Sequence, residues 1–299
     1  MVEYRWLNIS FTAFYTLLED SMDFVKLCIE LLLETLGLYR LNLGYKGVAP
    51  RRRRGVEQKK VYVCIHEWGG YSSVRRKHIN DTICDWECGL KYQLERFESR
   101  QDVVLTVTMS DMHLCRDIAS ITSRCDHFIA VPNRGMDFSG YGAFYQSIRG
   151  MKNCYVVLTN SSVNSLQSDF LDSYIDYMER NKDVGMLGVS CCSKCYQSLD
   201  AENFTPHLQS FFLLTTLSVL DEVVAKNGGE FPGVGVGNKQ LLIRRGEIRI
   251  SQLVLRLGYQ LAVVTESGVI KFDNNPKNWS LPCGDFRAYT DKPNSIHPI

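Results

Sequence analysis

Several polar clusters stand immediately after short apolar runs. They are His66-Glu67-Trp68, Ser110-Asp111, the stretch running from Asn133 through Arg134, Gly135 and Asp137 to Tyr141, and Thr159-Asn160-Ser161-Ser162. A further cluster, His207-Leu208-Gln209-Ser210, stands ahead of the apolar run 211–214. Such groups suit a polar ligand bearing phosphate or sugar. Gly135 permits a tight turn, and Ser139 can open a helix whose free N–H groups and positive end would face a diphosphate. His207 can take up a proton as a neutral imidazole near pH 7, or simply hydrogen-bond a loop carbonyl. Asp137 can approach a donor hydroxyl or a metal, or cap a helix.

The elements that must position these groups follow from periodicity. Residues 61–66, 103–108, 128–131, 155–158 and 184–189 are short apolar runs rich in β-branched residues. Helical stretches separate them, with Ser110-Asp111 and Ser168-Asp169 as caps and with Phe170, Tyr174 and Tyr177 on one helix face. Strands alternating with helices imply right-handed crossovers and an α/β fold with a mostly parallel, doubly wound sheet. In such sheets ligands bind outside the carboxyl ends of the strands, where the first four clusters fall. Residues 84–88, with Cys84 and Cys88 one helical turn apart, are expected on a helix, their thiols serving as small hydrophobes. The run from Gly233 to Gly237 lacks the preceding strand and following helix of a dinucleotide fingerprint. It is expected as a loop over the site, with 231–240 forming a lid.

Composition narrows the classes. Among 299 residues, 34 are basic and 33 acidic, a balance that argues against a dedicated nucleic-acid binder. The 11 cysteines are odd in number, so a reducing, cytoplasmic setting is the simpler expectation. Cys192 and Cys195 form a C-x-x-C with no second pair of matching spacing, and a zinc site is not expected. The chain divides into an N-terminal segment, 1–55, and a domain, 56–299. Residues 11–36 have a helical pattern in which Glu19, Asp23, Lys26, Glu30 and Glu34 draw one polar stripe. The charge-free stretch 6–18 is too short to span a bilayer. Arg51 to Arg54 read as a solvated linker, an anchor on anionic lipid headgroups or an import signal. The acidic stripe weighs against peripheral membrane contact.

Three segments in order, VPNRGMDFSGYGAF, YVVLTNSSV and PHLQSFFLLTTLSVL, resemble the rhamnan-synthesis-F-like glycosyltransferases over roughly residues 60–265. That family carries N-R-G-x-D-F, a strand ending near N-D-S, and H-x-Q-S-[FY]-F. The resemblance implies a GT-A fold, a nucleotide-sugar donor and a glycan acceptor. It places Asn133, Arg134, Gly135, Asp137, Asn160, Ser161 and Ser162 around the donor, where the strand-end reading also sets His66 and Ser110, and Gln209 and Ser210 near the acceptor. Residues 246–251, then Gly258-Tyr259, resemble the E-D-x-x-L-S … G-Y segment of inverting enzymes. This puts Glu247 at the general-base position, with His207, Asp221 and Glu222 as rivals.

The metal-binding D-x-D of GT-A enzymes is replaced by Thr159-Asn160-Ser161. Mg²⁺ or Mn²⁺ would meet only amide and hydroxyl oxygens there, which bind weakly without a charge partner. Metal dependence therefore stays open, and the leaving diphosphate falls to the helix near Ser139, to Arg134, and to Arg244 or Arg245. Rhamnose or another deoxyhexose is the sugar this family suggests. The alternative is a catalytically degenerate transferase-fold domain that binds a glycan or a protein.

Overall fold

The computed structural model describes the chain apart from residues 1–2, 43–47, 79–85, 167–168 and 201–202, and the side chains of residues 3–17. A 33-residue helix, α1 (Glu3–Thr35), comes first. β1 (Val61–Trp68) follows, then a small ribbon of β2 (Arg75–Lys77) and β3 (Trp86–Cys88). Next come α2 (Leu90–Phe97), β4 (Val103–Ser110), α3 (Ile118–Thr122), β5 (His127–Val131), α4 (Asp137–Ile148), β6 (Tyr155–Asn160), α5 (Leu171–Arg180) and β7 (Val184–Gly188). A second ribbon pairs β8 (Cys191–Cys192) with β9 (His207–Leu208). β10 (Phe212–Thr216) and α6 (Leu217–Lys226) follow. The π-helical turn Ile243–Ile248 joins α7 (Lys239–Leu242) to α8 (Arg249–Arg256). β11 (Gln260–Thr265) and β12 (Gly268–Phe272) complete the sheet.

The eight-stranded sheet runs β12-β11-β7-β10-β6-β1-β4-β5. β6, β1, β4 and β5 are mutually parallel, as the strand–helix alternation requires, and β7 runs parallel to β11. β10 departs from the expected pattern by running antiparallel to both β6 and β7. The reason is connectivity: between β7 and β10 the chain makes the β8–β9 ribbon and no crossover helix, so it re-enters from the end at which it left.

β1 is buried on both faces. Val61, Val63 and Ile65 pack with α2 and α5, whereas Tyr62 and Cys64 pack with α4, α6 and α8. Helices thus cover both sides of the sheet, the α/β architecture expected from sequence.

Local expectations fare unevenly. Trp86 to Cys88 is a strand instead of a helix; its burial alternates, with Trp86 and Cys88 inside and Glu87 outside. Cys84 lies outside the described residues, as does Ser168. Ser110 ends β4 instead of capping a helix. Asp111 adopts a left-handed conformation, with φ 48°, and its carboxylate accepts from Trp68 Nε1 at 2.8 Å. The ten described cysteines are free thiols.

The polar stripe of α1 faces the domain. Asp23 pairs with Arg134 at 2.6 Å, and Glu30 and Glu34 pair with Arg244 at 3.0 and 3.3 Å. Leu27 is buried in the core beside them. The basic run after α1 is not wholly a solvated linker. Arg53 is buried and donates to the carbonyls of Met178 and Val184, and Arg51 pairs with Glu222 at 2.7 Å. No described helix is long and apolar enough to cross a membrane.

Candidate active site

Parallel pairing brings the strand ends level. His66 on β1 stands opposite Thr108 on β4 and Asn160 on β6, and Trp68 stands opposite Ser110. These ends open on a cavity of about 700 Å³, within the range that holds a ligand of cofactor size. Of the residues assigned from sequence to the donor and the acceptor, all but Arg134 and Gly135 line it, and so do Glu247 and His207.

Gly135 has φ 96° and Met136 φ 46°, the sharp turn that sequence anticipated; it aims Asp137 and the start of α4 at the cavity. α4 reaches the sheet because Gly140 lacks a side chain: a Cβ there would lie 2.3 Å from His66 Nδ1. His66 Nδ1 is 3.1 Å from Thr108 Oγ1, and burial pushes its pKa below the usual value against a smaller pull from Asp137. Asn160 Nδ2 donates to Asp137 Oδ2 at 2.6 Å, and its Oδ1 accepts from Ser162 N at 2.8 Å. Ser110 Oγ is buried, lines the cavity and has no partner within the protein. A buried hydroxyl left this way is what a ligand hydrogen bond would satisfy.

Glu247 lies in the π-helical turn, not in a first helical turn. Such turns alter the aim of a side chain and are frequent at functional sites. Ser210 N donates to Glu247 Oε1 at 2.6 Å. Burial raises the carboxyl pKa from 4.5 to about 7; the Ser210 N–H and Arg287 pull it down, and Asp137 and Asp285 push it further up. His207 is buried with Nδ1 2.6 Å from Thr205 O, and burial drives its pKa down to about 4 against that hydrogen bond. A base is most effective with a pKa near the working pH, so Glu247 suits proton abstraction at pH 7 and His207 does not. Asp221 and Glu222 sit in α6, bonded to Tyr145 Oη and Arg51, outside the cavity lining.

Positive charge in the cavity comes from residues that sequence reading missed. Arg75 and Lys77 lie two apart on β2 and therefore share a face. Arg75 Nη2 donates to Ser161 Oγ and Lys77 Nζ to Ser162 Oγ, each at 2.6 Å. The Arg75 guanidinium stacks 4.0 Å over the Tyr71 ring, pairs with Glu67 at 3.2 Å, and leaves Nε buried without a partner. Burial, then Arg75, lowers the Lys77 pKa. Arg287, from the C-terminal segment, pairs with Asp285 at 2.5 Å beside Glu247.

The three arginines proposed from sequence for a diphosphate are committed elsewhere. Arg134 holds α1, and Arg244 and Arg245 pair with Glu30. Arg134 Nε also donates to Gly235 O and Asp23 accepts from Gly237 N, so the glycine-rich loop is pinned between α1 and Arg134. Within the stretch 231–240 expected as a lid, residues 231–237 form a clasp that does not line the cavity, whereas Lys239 does line it.

The residues at the D-x-D position do not suit a divalent cation. Ser161 and Ser162 already receive Arg75 and Lys77, Glu67 is ion-paired, and Asp137 accepts from Asn160. Among the described residues, no group of three or more His, Cys, Asp or Glu is placed to hold a metal ion.

No protein-family model and no curated protein sequence matches the chain. Among solved structures, the crystal structure of S. aureus TarS is similar at 9% sequence identity, over 73% of this chain and 37% of that one, with a TM-score of 0.41. The chain thus spans little more than a third of that protein's length.

Proposed function

We propose that the cavity binds a nucleotide-sugar and that the chain transfers the sugar, with inversion, to a glycan acceptor. The observation that carries this is one cavity holding both a carboxyl poised near pH 7 and a cationic ribbon seated on the strand ends. Glu247 accepts the proton of the acceptor hydroxyl while that oxygen bonds to the anomeric carbon. The bond from that carbon to the diphosphate oxygen breaks, and its electron pair leaves with the diphosphate. Arg75, Lys77 and the N-terminal end of α4 receive the developing charge. His66, Ser110, Asn133 and Asn160 hold the donor; Gln209 and Ser210 face the acceptor. Rhamnose or another deoxyhexose is the sugar suggested by the three-segment resemblance.

In this reading the cationic ribbon takes the part a divalent metal plays in enzymes with D-x-D, so turnover persists in EDTA. Lys77→Ala should lower kcat by about 10²-fold, the usual loss of one preorganised charge contact to a developing anion. Lys77→Arg should recover part of it. Nucleoside-diphosphate release from a panel of nucleotide-sugars, with Mn²⁺ and with EDTA, tests the proposal. EDTA-resistant turnover supports it, and strict dependence on Mn²⁺ removes the ribbon from that role. The missing D-x-D favours a second reading, a degenerate transferase-fold domain. Glycan binding with no turnover of any donor would select that reading.

A further inference from the structure

The side of α1 turned away from the domain, extended by Leu36 just past its end, repeats with a period of 3.5 residues. Leu18, Met22, Val25, Ile29, Leu32 and Leu36 follow one another at steps of four, three, four, three and four. Each is between 46% and 61% exposed, although it is a large apolar side chain. In heptad terms Met22, Ile29 and Leu36 take the a positions and Leu18, Val25 and Leu32 the d positions. Most of the residues fixed to the domain, Asp20, Asp23, Leu27, Glu30 and Glu34, fall at b and f, on the opposite side, and Glu19 at e also reaches Arg134, at 3.3 Å. The ion pairs therefore hold the helix with its seam outward. In sequence the same spacing continues backwards through Tyr15, Phe11, Asn8 and Tyr4.

We infer that α1 is a dimerisation helix, its seam packing against α1 of a second copy of this chain. A strict 3.5-residue repeat specifies a partner helix with the same repeat, whereas a helix lying in a lipid surface needs a broad apolar face. The flanking e and g positions of residues 18–36 hold Glu19, Lys26 and Leu33, and Ser21, Cys28 and Thr35, so no block of like charge opposes the pairing. A bilayer-docking helix carries cations beside its apolar face. Between residues 18 and 36 the sole basic residue is Lys26, and it is bonded to Asp23 at 2.9 Å. Six side chains giving up roughly 60–100 Å² each on both copies bury about 1,000 Å², the lower bound for a specific interface.

Sedimentation of the full chain at micromolar concentration should give twice the 34.2 kDa of one chain. Val25→Glu and Ile29→Glu, both at exposed positions, should each restore the single-chain mass while keeping a single cooperative melt whose midpoint no longer depends on concentration. Phe24 is equally exposed but lies at c, outside the seam. Phe24→Glu should remain dimeric. A single-chain mass for the unaltered protein overturns the inference, as does flotation of that monomer with phosphatidylserine vesicles. Dissociation of Phe24→Glu as readily as Val25→Glu overturns the seam in favour of an unspecific apolar patch.

Discussion

Glu247→Gln is expected to lower the transfer rate by about 10²–10⁴-fold, the typical contribution of a positioned general base. Donor affinity should stay close to that of the unaltered protein, because the amide oxygen can still accept from Ser210 N. The same substitution should stabilise the fold at alkaline pH. The carboxyl pKa of Glu247 is about 7 in the folded chain against 4.5 as the ordinary value. The native state therefore holds the proton more tightly, and the stability this confers is full below the ordinary pKa. It drains away as pH rises through about 7. Glutamine does not titrate, so above that window the variant should be the more stable by on the order of 3 kcal/mol at most. Calorimetric donor binding, steady-state rates and thermal melts at pH 5 and pH 8 check the three parts. A variant that is inactive and also less stable at pH 8 would point to misfolding instead of a lost base.

Arg244→Met is expected to destabilise the protein by about 3–5 kcal/mol, the usual result of removing one partner from a buried ion pair. The Arg244 side chain is fully buried, with Glu30 at 9% and Glu34 at 10% exposure. Glu30 keeps Arg245 at 2.7 Å, but Glu34 loses its ion-pair partner inside the protein. Arg245→Ala, at a side chain 40% exposed, should cost under about 1 kcal/mol. Urea midpoints for both variants measure the contrast. Replacing Glu30 and Glu34 by leucine in the Arg244→Met background should recover much of the loss, because no charge is then left stranded. Equal losses at Arg244 and Arg245 would contradict the assignment of α1 as an element held by its buried pairs.

What was legible from sequence followed from burial. β1, β4, β6 and β7 are buried along their length, so their apolar runs mark strands directly. Parallel pairing then brings the residues after such runs to one edge, which is why Asn133 and Asn160 share a cavity although they are far apart in sequence; Glu247 reaches it from the π-helical turn before α8. Strand direction was not legible for β10, because an apolar run does not record which way it points. β2 has three residues, too few to show a period, so nothing in the sequence singled out Arg75 and Lys77. Arg134 and Arg244 were placed at the diphosphate by proximity in sequence to site residues. Their carboxylate partners lie on α1, 111 and 214 residues away, and nothing local announces such pairs.

The pH dependence of kcat/KM tests the central claim most directly, namely that a buried Glu247 carboxylate deprotonates the acceptor. A base must be ionised to act, so the rate should rise with pH and level off above about 7. At one pH unit below that value it should stand at roughly a tenth of the plateau. The rising limb should vanish in Glu247→Gln and survive in His207→Gln. A limb near pH 7 that persists unchanged in Glu247→Gln would contradict the account.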